Sequence, residues 1–218
     1  MTEDFYGKGS IPLSMQGLEE LVGLELISSD ARAIGTVEGV SIDVSEWYVR
    51  AIRVGLTRGT EKLIGRQTRF FMLDKVLINT VNLGRVSDAV MMKQPLAALK
   101  EQVMPEDERM MPAGAFIGMR VMCDDAVLLG HVDNILIDTS DGWRIPFIQV
   151  KLSREAKGLW EKGSDKAAPP LVNVTTGSIR AVGDMVILSL TVNQVREGSE
   201  REISDALNTG GAEGRSVH

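Results

Sequence analysis

The sequence predicts an all-β protein: two small β-barrels in tandem, joined by a short helix and linker. Three observations predict it. The stretch AIGTVEGVSIDV at 33–44 is echoed by LLGHVDNILIDT at 128–139. Apolar and polar residues alternate over short runs in both places, the mark of strands buried on one face. Turn residues punctuate those runs at short intervals, as in small barrels or strongly twisted sheets.

The echo is a register, not a coincidence of motif. Adding 95 carries Gly23, Asp30, Gly35, Val37, Ile42 and Asp43 onto Gly118, Asp125, Gly130, Val132, Ile137 and Asp138. One extra residue near Gly142 changes the shift to 96, which then carries Ile52, Val54 and Leu56 onto Ile148, Val150 and Leu152. The same shift takes Val76, Thr80, Val86, Asp88 and Val90 to Val172, Thr176, Val182, Asp184 and Val186. Two long copies imply a duplicated domain, not a solenoid.

Taken in order, residues 1–22 read as a lead with a short helix, in which Leu18, Leu21 and Val22 share a side and Gly23 ends the turns. Residues 23–92 form the first copy. Leu24 and Leu26 flank Glu25, Val40, Ile42 and Val44 alternate with Ser41 and Asp43, and Ile52, Val54 and Leu56 alternate with Arg53 and Gly55. Residues 93–117 read as a helical linker, with Pro95 at the first helical position, Leu96, Leu99 and Val103 as a narrow stripe, and Pro105 as the stop. Residues 118–192 repeat the strands through Met119 and Val121, Ile135 and Ile137, and Ile148, Val150 and Leu152. In 193–218, a tail expected to be partly disordered, Ser199 and Glu202 bracket a helix start with Ile203 and Leu207 on its apolar face. Gly35 and Gly130 mark a positive φ or a close backbone approach, while Asp43 and Asp138 close turns on their own backbone.

The 218 residues carry a net charge of −6, and no segment is basic overall. That balance lacks the footprint of a phosphate-backbone binder. Cys123 is the one cysteine, so no internal disulfide forms, and the expectation is a reducing cytoplasm with Cys123 as a small buried hydrophobe. The acidic, polar start is unlike a signal peptide, and no apolar run reaches membrane-spanning length.

The segments GLELISSDARAIGTVEGVSIDV and GRVSDAVMM, with GMRVMCDDAVLLGHVDNILIDT and IRAVGDMVIL, together resemble the PRC-barrel family. Copy one departs at its final turn, where Val86-Ser87-Asp88 replaces Val-Gly-Asp. The resemblance implies a small all-β barrel with no family catalytic site. Its known uses are the cytoplasmic domain of the photosynthetic reaction-centre H subunit, a domain of a bacterial ribosome-maturation factor, and archaeal proteins linked to FtsZ-based division through SepF. What they share is protein–protein contact.

Chemistry finds little to work with. His131 and His218 are the two histidines, and with one cysteine they cannot assemble a zinc-type ligand set. The repeated aspartates are explained by turns without a catalytic dyad, and neither a phosphate-cradling glycine loop nor a nucleophile elbow occurs. Catalytic, metal and cofactor residues are therefore expected to be absent.

Two surfaces are candidates. The aromatic and apolar residues Trp47, Phe70, Phe71, Met72, Trp143, Phe147 and Trp160 sit in loops or at strand starts, where they serve either partner binding or barrel ends. Arg50, Arg53, Arg58, Lys62, Arg66 and Arg69 form a basic run opposed in sequence only by Glu61. A basic face of that kind suits RNA or an acidic protein, and a solvated face is the plainer reading. The whole predicts a cytoplasmic, archaeal-type adaptor or scaffold whose leading pathway is cell division, recruited to the division site by a partner. Candidate partners are a SepF-like adaptor, another PRC-barrel protein, or a second copy of the chain. The alternative is an accessory factor in ribosome assembly or RNA processing.

Overall fold

The computed structural model describes residues 15–65, 75–163 and 167–199. Copy one runs β1 (Met15–Gly17), α1 (Leu18–Leu21), β2 (Glu25–Ile27), β3 (Ala33–Asp43), β4 (Tyr48–Leu56), β5 (Lys75–Asn79), β6 (Leu83–Val86), β7 (Ala89–Met92), α2 (Leu99–Gln102) and β8 (Val103–Met104). Copy two runs β9 (Met111–Pro112), α3 (Ala113–Phe116), β10 (Arg120–Met122), β11 (Leu128–Asp138), β12 (Arg144–Leu152), α4 (Arg154–Lys162), β13 (Leu171–Thr175), β14 (Ile179–Val182) and β15 (Val186–Leu188). A further helix, α5, covers 192–199.

The shift found in the sequence holds in the elements. Within copy one the strands lie in the order β5-β4-β3-β2-β7-β6, and within copy two in the order β13-β12-β11-β10-β15-β14. The pair β2 and β7 is parallel, as is β10 and β15. Even the irregularities repeat: β3 slips between Val37 and Gly39 against β4, and β11 slips between Val132 and Asn134 against β12. Among the described residues no ladder joins β5 to β6 or β13 to β14, so the sheet is not closed by hydrogen bonds. Short 3-10 turns, Thr80–Asn82 and Thr176–Ser178, bridge those gaps.

Gly35 and Gly130 are required by close approach, not by φ. A Cβ on Gly35 would lie 2.2 Å from the Gly55 carbonyl oxygen, and one on Gly130 would lie 2.0 Å from that of Lys151. The turn reading of the aspartates also holds. Asp43 Oδ1 accepts from the Ser45 amide at 3.0 Å, and Asp138 Oδ1 from the Ser140 amide at 3.0 Å.

The two copies are joined more intimately than a linker implies. Strand β1 pairs with β11, Met15 opposite Asp138, and β9 pairs with β3, Ser41 opposite Pro112. Each copy thus lends its N-terminal arm to the other. This refines two sequence expectations: the short helix of the lead is Leu18–Leu21, preceded by the strand Met15–Gly17, and the linker 93–117 contains the arm of copy two. Val22, expected on the buried side of the first helix, is 44% exposed, while Leu21 is buried. Pro95 stands before the 3-10 turn Leu96–Ala98, and Val103 leaves the expected stripe to pair as strand with Ile78.

Strict alternation also fails at the meeting of the copies, where Val40, Ser41, Ile42 and Asp43 are all buried in succession. The β9 strand lies along this end of β3, and α3 packs against it, which covers what would otherwise be a solvated face. A single cluster of buried apolar side chains runs through both copies. At the far end, Thr191 and Gln194 form a capping box, while Glu202 of the expected one lies outside the described residues. The Gln194 amide donates to Thr191 Oγ1 at 3.3 Å, and the Thr191 amide donates to Gln194 Oε1 at 2.9 Å. Ser199 lies within α5, and the expected helix after it falls outside the described residues.

Candidate interaction surface

The copies meet at a seam built by two tryptophans with left-handed backbone. Trp47 has φ 54° and Trp143 φ 62°, at positions related by the shift of 96. Bulky side chains rarely adopt this conformation, so something must hold it. Here it aims two carbonyls across the seam: the Ile145 amide donates to Trp47 O and the Val49 amide to Trp143 O, both at 2.8 Å. Tyr48 lies opposite Arg144 between these bonds. The arrangement is reciprocal, residue i bonding j as j′ bonds i′, which is the isologous pattern of a two-fold dimer written into one chain.

The seam decides the fate of most candidate aromatics. Trp143 is 4% exposed and Trp160 is 2% exposed, so the bulk of both belongs to the core. Trp160 lies on the inner side of α4 with Ala156; the KLSREAKGLWEK run is this helix, capped by Ser153 Oγ accepting from the Ala156 amide at 3.0 Å. Trp47 is half-buried and meets Phe116 of α3 edge-on, ring centroids 5.6 Å apart at 67°. Phe147 is half-buried on β12, while Phe70, Phe71 and Met72 lie outside the described residues.

The basic run is divided up by folding. Arg50 pairs with Asp43 at 3.0 Å and stacks over Tyr48 at 5.1 Å; Arg53 pairs with Glu106 at 3.1 Å. Those carboxylates are remote in sequence or across a hairpin, so charge counting along 50–69 misses them. Arg58 and Lys62 are exposed, and Arg66 and Arg69 lie outside the described residues. Burial pushes the Asp43 carboxyl up, but bonds from Ser45 and Arg50 outweigh it and hold the group below its ordinary value. Ser28 and the Leu96 amide likewise hold Asp30 below its usual range, tying that turn to the start of the 3-10 segment. Burial pushes the Cys123 thiol up to about 12, which leaves it no thiolate to react. His131 is exposed on β11, and among the described residues no group of His, Cys, Asp and Glu gathers to hold a metal.

One cleft of about 540 Å³ opens beside the seam. It is lined by Gln16 of β1, Thr80 and Val81 of the 3-10 turn, all four residues of β6, Lys93, and Thr139, Ser140, Gly142 and Trp143 of copy two. Among the described residues no carboxylate lines it. Sequence reading missed Gln16, Arg85 and Lys93. A residue-by-residue comparison of the copies shows them, because Arg85 and Lys93 answer to Ala181 and Ser189.

No protein-family model matches the chain, and no curated protein does. Among solved structures the chain is similar to one described as a 16S ribosomal RNA processing protein, RimM, from Pseudomonas aeruginosa. The likeness is slight. Identity is 14%, covering 72% of this chain and 98% of that one, at a TM-score of 0.25. No helix among the described residues is long and apolar enough to cross a membrane.

Proposed function

We propose that the chain is a non-catalytic interaction scaffold made of two PRC-type barrels fused as a pseudo-dimer. In this reading a 3-10 turn spans the gap between the outer strands of each barrel. Thr80 Oγ1 donates to Val49 O at 2.8 Å, and Thr176 Oγ1 to Ile145 O at 2.7 Å, pinning the turns to β4 and β12, the neighbours of the strands they follow. The observation that carries the scaffold reading is the seam. Exchanged arms and reciprocal carbonyl bonds fix two like bodies in one orientation, so the outward faces are presented at a set spacing. A rigid pair of faces suits bridging two partners, or two subunits of one, because little ordering entropy is lost on binding.

The candidate carboxylates support a role without chemistry: Asp43 and Asp138 are occupied by backbone and serine donors of their own turns, and Asp30 by Ser28 and the Leu96 amide. The partner class placed first is a division adaptor of the SepF kind, suggested by the family resemblance. The ribosomal alternative leaned on a basic face, and two of its arginines are neutralised by Asp43 and Glu106. Crosslinking the tagged chain in lysate from its own source, followed by mass spectrometry, tests the proposal. A specific set of division proteins supports it, ribosomal proteins replace the pathway, and capture of nothing specific overturns the scaffold.

A further inference from the structure

The cleft beside the seam has a shape and a charge that the fold does not require. All four consecutive residues of β6, Leu83–Val86, line it. A strand seen face-on shows alternate side chains, whereas one seen along its edge shows every residue. Strand β6 ends the sheet order, pairing with β7 and with no other strand among the described residues. Such an edge is a template for an added strand.

The charge is one-sided. Arg85 and Lys93 line the cleft, and Lys93 Nζ donates to Val81 O at 2.8 Å, which leaves it two further protons. The equivalent groove of copy two has Ala181 for Arg85, Ser189 for Lys93 and Met111 for Gln16. It does hold Arg180, but that cation is tied to Asp124 at 2.6 Å. Since β14 and β15 form the same ladder without these cations, the positive charge of the first groove serves no need of the fold. Finally, Gln16 Oε1 is buried with no donor among the described residues, an acceptor left open. Buried acceptors of this kind are seldom left without a partner.

We propose that this cleft takes an acidic, extended peptide segment of a partner protein, laid along β6 as an added strand. Its carboxylates meet Arg85 and Lys93, and one of its amides meets Gln16. The inference rests on the scaffold reading and assigns it one docking groove per chain, on the copy-one side. Val81, 68% exposed at the rim, offers an apolar contact to the alternate side chains of the incoming strand.

The experiment uses the full chain and a fluorescein-labelled Val-Glu-Val-Glu-Val-Glu peptide, read by anisotropy at low ionic strength. Saturable one-to-one binding is expected, with no binding of Val-Lys-Val-Lys-Val-Lys. The R85A/K93S variant places the copy-two residues in copy one, so it folds on a pattern the chain already tolerates; it weakens binding about ten-fold or more through two lost charge-assisted contacts. The A181R/S189K variant raises the stoichiometry toward two. Amide shifts at Gly84, Arg85 and Val86 on titration place the peptide on the strand. Equal binding by R85A/K93S, equal binding of the lysine peptide, or no saturable binding overturns the inference. Partner capture from lysate by R85A/K93S separates the two readings: capture retained while the peptide result is negative sinks the groove and leaves the scaffold standing.

Discussion

Replacing Gly130 by alanine tests the central packing idea. The added Cβ would lie 2.0 Å from the Lys151 carbonyl oxygen and 3.1 Å from Leu152 Cα. Carbon–oxygen contacts between strands sit at about 3.3 Å or more. The β11 and β12 backbones must therefore part by roughly 1.3 Å at this point, since a carbonyl in a ladder cannot swing aside like a side chain. Overpacking of this kind costs about 1–3 kcal/mol. The bond from the Ser153 amide to Leu129 O, 2.8 Å long at the next rung, stretches beyond use, worth about 0.5–1.5 kcal/mol. The sum is about 1.5–4.5 kcal/mol, and for a chain of this size roughly 2–4 °C of melting temperature per kcal/mol. Thermal unfolding followed by circular dichroism is expected to show a fall of roughly 3–18 °C. Gly35→Ala should fall by a similar amount, because its Cβ meets Gly55 O at 2.2 Å. Gly39→Ala, with nothing within 4 Å of its Cβ, is the control and should stay near wild type. A Gly130→Ala melt within 2 °C of wild type (about one kcal/mol or less), or a Gly39→Ala melt as low as the other two, refutes the reasoning.

Three further outcomes follow from the geometry. Thr176→Val removes the hydroxyl that reaches Ile145 O at 2.7 Å inside the protein and should cost about 1–3 kcal/mol in urea unfolding, with Thr176→Ser recovering most of it. Asp43 is held below the ordinary carboxylate value in the folded protein, so its contribution is present above that ordinary value and is lost as pH falls through the lower folded one. Asp43→Asn should therefore be less stable at neutral pH, by about 1–2 kcal/mol, and its stability should decline less steeply below pH about 4. Co-expressed chains 1–107 and 108–218 should purify as a one-to-one complex, because each needs the other's arm; recovery of each as a separate folded monomer would contradict the exchange.

The repeat was legible because glycine and aspartate mark backbone geometry that other residues supply poorly, and both copies need that geometry. Gly35 with Gly130, and Asp43 with Asp138, announced a shared frame before any coordinates. The exchanged arms were not legible. Strands of two or three residues such as Met111–Pro112 carry no period, and nothing in Met15-Gln16-Gly17 says which copy it will pair with. Trp143 and Trp160 misled because loop-like surroundings suggested exposure, whereas one sits in a seam and the other inside α4. Arg50 and Arg53 looked like a basic face because the carboxylates that meet them come from the other side of a hairpin and from the segment between the copies.

The reciprocal bonds of Trp47 and Trp143 carry an evolutionary consequence. A dimer of separate identical subunits must display every mutation twice, so a change useful on one side is imposed on the other. Covalent fusion lifts that obligation while the interface stays intact. Asn134 shows the freedom in use: its Oδ1 accepts from the Leu18 amide at 3.1 Å, where the counterpart Gly39 can offer nothing. Once one chain encodes both halves, each can be selected for a separate task without unmaking the symmetry that holds them.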